Sequence, residues 1–327
     1  MKTNFQNPEQ LKKCLTEIVD HIERRVEKIS NRELLDICGD ASNFLSSRTT
    51  DPHFCHEIAE AAINLTIKEK YTKELFAASP SEFCTTTLKT LAARLPTQTW
   101  RSREQIVRQQ FSTPPAIAYL LAYLLNLKPG ELILEPSAGT SNLAVWASGL
   151  GLETHINEID SRRRKMLEIL GFQPTAYNAE FINDFLPDSV SADVLMMNPP
   201  FPSSGGRTAN NSSKFGFRHV SSVLERLEPS GKFGIILGEA AGLDTKTGND
   251  FWRGLARRVS VKAIIKIRGR EYYKNGTSVD VTIICGTKLR AEQTVNWRDE
   301  QQKIVSVAVA TVKDAFRLVS KFNLRLE

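Results

Sequence analysis

The stretch Glu131-Leu132-Ile133-Leu134-Glu135-Pro136-Ser137-Ala138-Gly139-Thr140-Ser141-Asn142-Leu143 limits what this 327-residue chain can fold into. An apolar strand runs into a turn of small residues, and a helix follows through Ala147. Small residues let backbone approach a ligand, and the first turn of a helix presents unpaired N–H groups. The stretch therefore reads as the opening strand–turn–helix of a doubly wound sheet, with a ligand beyond the strand's carboxyl end. No Lys follows the glycine, so it is not a Walker loop. The absence of G-x-G-x-x-G argues against a nicotinamide cofactor.

The strands that follow keep this architecture. Thr154 to Ile159 reads as a second strand ending in Glu158, 23 residues after Glu135, near the separation at which such folds place a ribose-binding carboxylate. Thr175-Ala176-Tyr177 reads as a short third strand, leading to Asn178-Ala179-Glu180. Ala192 to Met197 reads as a buried strand, Lys232 to Leu237 as the next, and Val261 to Ile267 with Val279 to Cys285 as a closing hairpin pair around Gly276. Strands and helical stretches alternate over about 190 residues, which makes an α/β, Rossmann-like sheet the expected fold.

The Ala192–Met197 strand ends in Asn198-Pro199-Pro200-Phe201. That stretch suits a planar exocyclic amine, whose nitrogen is a poor nucleophile because its lone pair is delocalised. If the Asn198 side-chain oxygen and the Pro199 carbonyl accept its two N–H bonds, they favour a pyramidal nitrogen whose lone pair points at an electrophile. Prolines fix φ and lack an N–H, so the carbonyl is aimed with little reorganisation. Phe201 offers a flat face on which a base can stack.

Residues 1–95 read as a helical domain. Helices are expected over Glu9 to Ile29, over Arg32 to Cys38 with Asn31 as cap and Gly39 as stop, over Pro52 to Tyr71, and over Ser81 to Arg94. Asp51-Pro52-His53-Phe54-Cys55-His56 matches no common zinc signature and reads as a helix start, with no metal expected. A sheet domain spans 96–290, and 291–327 extends it with a strand and a helix. Thr113 is expected to cap the apolar helix from Ala116 to Leu127, with Pro114 at its first position.

Charge is unevenly divided. Residues 1–100 hold 13 Lys and Arg against 14 Asp and Glu, whereas 101–327 hold 30 against 23. A basic sheet domain fits a polyanionic partner. No segment approaches the roughly 18 apolar residues of a membrane span, and no signal peptide is visible, so no membrane partner and a cytoplasmic location are expected. The five cysteines, scattered and odd in number, fit reduced thiols.

Glu-Pro-x-x-Gly, an acidic second strand and Asn-Pro-Pro-Phe together resemble the S-adenosylmethionine-dependent N6-adenine DNA methyltransferases. Phe111-Ser112-Thr113-Pro114-Pro115 lies upstream, the motif order of the gamma arrangement. More closely, Pro96 to Thr99 through Gln110 to Pro114, Glu135 to Gly139, Asn178 to Glu180, Met197 to Phe201, Arg218-His219 and Gly276-Thr277 resemble the methyltransferase region of bacterial strawberry-notch-like proteins. The likeness runs from about residue 30 to 289. In that family a helicase region usually follows, which implies a free-standing form here and a separate helicase partner.

The resemblance implies roles for particular residues. Thr113, Glu135, Pro136, Ser137, Ala138 and Gly139 would surround the methionine moiety of S-adenosylmethionine. Glu158 would bind its ribose, and Asn178 and Ala179 would approach its adenine ring. Asn198, Pro199, Pro200 and Phe201 would form the catalytic site. Ser141 stands where many relatives have a second glycine, and Asn178 where they commonly have aspartate. The polar loop from Pro202 to Phe217, with Arg207, Lys214 and the following Arg218, is placed to close over a flipped nucleotide and contact DNA phosphates. Two classes stay open at the level of sequence. One is a methyltransferase, acting on adenine N6 in DNA or alternatively on guanine N2 in ribosomal RNA or a protein glutamine. The other is a decayed methyltransferase fold that only binds nucleic acid. The lack of a cysteine after a proline argues against cytosine C5 chemistry.

Overall fold

The computed structural model describes residues 8–25, 27–42, 51–78, 82–98, 111–200, 215–276, 278–293 and 295–327. Among them, seven strands form one sheet: β1 Leu132–Glu135, β2 Glu153–Ile156, β3 Ala192–Met197, β4 Leu227–Gly238, β5 Val259–Ile267, β6 Val281–Lys288 and β7 Val305–Val309. Their order is β2-β1-β3-β4-β6-β5-β7. Neighbours are parallel except at β6, which runs antiparallel to both β4 and β5. The expected hairpin pair is therefore present. β1, β3, β4 and β5 all end on the same side of the sheet.

Thr175–Tyr177 does not become a strand. Its pairing with β2 is a single bridge, Asn157 to Thr175. The Asn157 side chain replaces the ladder. Its Nδ2 donates to the carbonyls of Pro136 and Tyr177, both at 2.9 Å, and its Oδ1 accepts from Tyr177 N at 2.8 Å and Thr175 Oγ1 at 2.9 Å. One fully buried amide thus joins three segments that strand pairing would otherwise hold.

Among the described residues up to 98 lie five helices: α1 Pro8–Arg24, α2 Asn31–Ser42, α3 Pro52–Thr66, α4 Thr72–Ala77 and α5 Glu82–Ala93, with one π-helical turn, Ile67–Tyr71, after α3. Two local expectations fail for identifiable reasons. Ser30, not Asn31, caps α2. Its hydroxyl accepts from Glu33 N at 3.1 Å, while Ser30 N donates to Glu33 Oε2 at 2.8 Å, a reciprocal capping box. The helix also continues through Gly39, which does not adopt the positive φ that ends a helix. The Asp51–His56 stretch is a helix start, as expected, and Asp51 caps α3 by accepting from His53 N and Phe54 N.

Strand alternation divides the core between the two faces of the sheet. Leu134, Leu195, Met197, Phe233 and Ile235 meet α10 Phe215–Leu224 and α11 Lys246–Leu255, including the buried Trp252. Ile133, Val194, Met196 and Ile236 face the other way. They share one cluster with α6 Pro115–Leu125, α7 Ala144–Gly149, α13 Val312–Phe322 and helices α1–α3. α6 is apolar all round and correspondingly buried. At its centre the Tyr119 ring lies 5.3 Å from Phe76, 5.0 Å from Trp146 and 5.5 Å from Phe316. Tyr119 Oη donates to Leu75 O at 2.8 Å. Between α7 and α13 lie α8 Ser161–Ile169, α9 Ile182–Phe185, and α12 Trp297–Lys303. Among the described residues no helix is long and apolar enough to cross a membrane.

Because the first 95 residues share this core, a fragment beginning at Thr97 is expected to lose cooperative thermal unfolding in circular dichroism. A fragment that melts as sharply as the whole chain would show instead that the sheet is stable without α1–α5.

Candidate active site

The site forms where β1, β2 and β3 end. Glu135, the last residue of β1, is 2% exposed, and its Oε2 accepts from Ala144 N at 2.7 Å. Strand and following helix are thereby tied across the turn between them. In that turn Gly139 has φ +56° and Ser141 φ +72°. Gly139 N donates to Glu158 Oε2 at 2.7 Å, and Glu158 Oε1 accepts from Asp160 N at 2.8 Å. A Cβ on Gly139 would meet no atom within 4 Å. Backbone is therefore bare at this point, with open space where any other residue would place its side chain.

Burial holds both carboxyls above the usual carboxylate range. For Glu135 the rise is large, with the Ala144 N–H opposing it and Glu158 adding to it. For Glu158 burial is opposed by the Arg163 guanidinium and by the N–H groups of Asp160 and Gly139. Neither burial penalty is removed by a matched partner.

Asn198 lies at the end of β3. Its Nδ2 donates to Thr113 Oγ1 at 2.8 Å and to Phe111 O at 3.3 Å. The Phe111 carbonyl can only accept, so it fixes the amide with nitrogen on this side. Asn198 Oδ1 is buried and has no hydrogen-bond partner among the described residues. A buried acceptor left open costs about 1–3 kcal/mol, and open acceptors of this kind belong to sites that await a donor. Thr113 does not cap α6. Pro114, with ψ 138°, holds the cap position and no side chain caps the helix. The Thr113 hydroxyl is used to orient Asn198 instead.

Helix α3 supplies the remaining wall. Asn64 Nδ2 donates to Thr140 O at 2.6 Å and to Asn142 Oδ1 at 2.5 Å. Glu60 Oε2 accepts from Ser112 Oγ at 2.5 Å and Thr140 Oγ1 at 3.4 Å, and Glu60 Oε1 accepts from Asn275 Nδ2 at 3.2 Å. Glu57 pairs with Arg163 of α8, whose Nε donates at 2.9 Å. None of Glu57, Glu60, Asn64, Asn157 and Arg163 was expected at the site. A signal existed for three of them: polar residues at 57, 60 and 64 follow helical spacing through an otherwise apolar helix.

Together these elements line one cleft that opens to solvent. Of the residues singled out in the sequence, it is lined by Thr113, Glu135, Ser137, Ala138, Gly139, Glu158, Asn198, Pro199 and Pro200; Ser112, Thr140, Asn142 and Arg163 join them. Pro136, Asn178 and Ala179 do not line it. Asn178 is exposed and accepts from Glu180 N at 3.1 Å, capping the 3₁₀ turn Ala179–Phe181. Arg218 is paired with Glu180 at 3.1 Å. Phe201, Arg207 and Lys214 lie outside the described residues.

No family model matches the chain. By sequence, 232 of its residues are 21% identical to the type I restriction enzyme StySPI methylase subunit of Salmonella potsdam. That match takes in 58% of this chain and 43% of the relative, so the chain spans less than half the length of the curated relative it matches. Among solved structures, a protein assigned to the class I S-adenosylmethionine-dependent methyltransferases of Listeria monocytogenes is 12% identical, covering 97% of this chain and 98% of its own, with a TM-score of 0.53. The type I restriction-modification methyltransferase subunit of Streptococcus thermophilus is 14% identical, covering 100% of this chain and 90% of its own, with a TM-score of 0.51. The fold is thus the Rossmann-like α/β fold of the class I methyltransferases.

Ser141 occupies a left-handed conformation that costs a residue with a Cβ about 1 kcal/mol or more, and its buried hydroxyl has no partner among the described residues. Ser141→Gly is expected to raise the melting temperature by about 2 °C, read by calorimetry on the free protein. A lower melting temperature would mean that the hydroxyl supports the turn.

Proposed function

We propose that this chain is an S-adenosylmethionine-dependent methyltransferase that transfers a methyl group to the N6 amine of adenine in DNA. The observation that carries the reading is the open Asn198 Oδ1, in the same cleft as the bare backbone of Gly139. In this reading Asn198 Oδ1 and the Pro199 carbonyl accept the two N–H bonds of the amine and draw its lone pair out of the ring. Thr113 and Phe111 hold the Asn198 amide in register, so little reorganisation is needed when the amine arrives. No covalent intermediate is required; positioning and electrostatics suffice.

The residues present fit the donor molecule. Glu135, Ser137, Ala138 and Gly139, with Thr113, would surround its methionine part. Glu158, whose oxygens each keep lone pairs after their backbone bonds, would hold the ribose. Asn178 and Ala179 would meet the adenine, where the exposed Ile159 and Phe181 offer apolar surface. When bound, S-adenosylmethionine supplies an electrophilic methyl group on its sulfonium.

DNA as substrate is supported by the likeness to the Salmonella methylase subunit and by the basic surplus of residues 101–327. The proposal assigns Phe201 to stacking the flipped base and Arg207, Lys214 and Arg218 to phosphate contact, with Arg218 exchanging Glu180 for phosphate. A cytoplasmic location and a separate helicase partner complete it, the latter on the strawberry-notch resemblance.

Asn198→Ala removes one of the two acceptors. It is expected to slow methyl transfer by about a hundredfold, on the order of 3 kcal/mol of barrier, while affinity for S-adenosylmethionine in calorimetric titration stays within a few-fold. Gly139→Asp is expected to do the opposite, abolishing that binding in a protein that still melts cooperatively. An Asn198→Ala protein that leaves as much methyladenine in the DNA of expressing cells as the wild type would defeat the reading.

A further inference from the structure

The residues assigned to the amine leave one part of the reaction without a group to perform it. Transfer forms the N–C bond as the donor's S–C bond breaks, the electron pair staying on sulfur. The amine is left cationic, with one proton to lose. Asn198 is an amide and Pro199 offers a carbonyl, so neither can keep that proton at neutral pH. Glu135 and Glu158 accept from the backbone N–H groups of Ala144, Gly139 and Asp160, and the proposed function assigns both to the methyl donor.

Ser112 is placed differently. It lines the cleft between Phe111 and Thr113, the two residues that Asn198 Nδ2 bonds. Its hydroxyl donates to Glu60 Oε2 at 2.5 Å, a short charge-assisted bond. Glu60 in turn lines a second, smaller pocket beside His56, Lys274 and Asn275. A hydroxyl in the cleft is thus wired to a carboxyl that lines the neighbouring pocket, with Thr113 and Asn142 bordering both.

We infer that Ser112 and Glu60 form the exit path of the amine proton: Ser112 Oγ takes it while passing its own hydroxyl proton to Glu60 Oε2. Glu60 then releases the proton through the second cavity to water, and both residues return to their starting state. The inference rests on the proposed methyl transfer to an exocyclic amine. The surroundings of Glu60 suit an acceptor that must also let go. Burial pushes its carboxyl up to about 7 and Glu57 adds to this, while the Ser112 hydroxyl, the Arg163 guanidinium and Asn275 oppose it. His56, held down at about 4 by burial and His53, is neutral at working pH. Lys274 of the 269–275 loop is the other charged group on the cavity. A base near neutrality combines affinity for a proton with its ready release.

Two measurements on the full chain test this. In protein labelled with ¹³C at glutamate carboxyls and free of donor and DNA, one resonance should titrate with a midpoint near 7 and vanish in Glu60→Gln. A Glu60 carboxyl that stays ionised down to pH 5 overturns the inference. In single turnovers with tritiated S-adenosylmethionine and unmethylated bacterial genomic DNA, the wild-type rate should rise with pH through that midpoint. Glu60→Gln and Ser112→Ala should each lose this rise and run about a hundredfold slower, with donor affinity within twofold of wild type. Wild-type pH profiles in both variants overturn it. So does a rate loss matched by lost donor binding, which would make Glu60 a support of the turn alone. A wild-type chain that methylates no DNA at any pH fails the functional reading itself and removes the proton to be carried.

Discussion

Three polar side chains on α3, Glu57, Glu60 and Asn64, are pressed into what would otherwise be an apolar seam, and the site takes its shape from them. Burying such groups is unfavourable unless each is matched. Their partners lie on four separate segments: Arg163 on α8, Ser112 before α6, Thr140 and Asn142 after β1, and Asn275 before β6. Removing one partner of a buried pair such as Glu57–Arg163 leaves an uncompensated charge, a cost of about 3–5 kcal/mol. The loops consequently cannot move past α3 without breaking several bonds at once. α3 therefore locates the loops as well as covering them. The helical region is tied to the sheet region by charge as well: Asp51 and Glu57 pair with Arg162 and Arg163.

Most of the sheet was legible because its strands are short apolar runs bounded by turn residues, and that pattern is local. The Asn198 and Gly139 stretches were legible for the same reason, since each is a contiguous strand-to-loop transition. What could not be read is long-range. Asn64 meets residues 76 and 78 positions away, and Glu60 meets Asn275 at 215; no periodicity records such pairs. Asn157 looked like the end of a strand and is the clamp that makes a third strand unnecessary. Thr113 looked like a helix cap because capping a helix and accepting from a neighbouring side chain use the same hydroxyl oxygen. Ser30 was passed over because two capping residues stand side by side, and only the reciprocal bond with Glu33 separates them.

The turn after β1 shows how backbone conformation, rather than side-chain chemistry, makes the bare surface. Gly139 and Ser141 both take positive φ, which lifts the intervening peptides so that Gly139 N reaches Glu158 and Ser141 N reaches the Ala138 carbonyl at 2.7 Å. Glycine serves the first position because a side chain would project into the cleft. The second position faces a buried interior, where a small residue is tolerated at the cost of strain. Strain retained at a site persists only when surrounding contacts outweigh it, and here Asn64 and Glu135 hold the turn from two sides.

Electrostatics adds a further constraint on what the cleft accepts. Glu135 and Glu158 line it, Glu60 borders it through Ser112, and Arg163 is the cation among its lining residues, already paired with Glu57. Carboxyls raised by burial are stabilised when a positive charge arrives, and a second anion would be repelled. A cationic ligand that enters this cleft therefore gains attraction and lowers the proton affinity of the acids around it in one event. An S-adenosylmethionine molecule, with its sulfonium and ammonium, has that charge. Phosphate has the opposite one, so under the proposed function a DNA backbone would stay at the rim and an uncharged base would enter. On the proposed function, the cleft's acids would favour the cationic methyl donor, and the basic surplus of residues 101–327 would favour the strand that carries the acceptor.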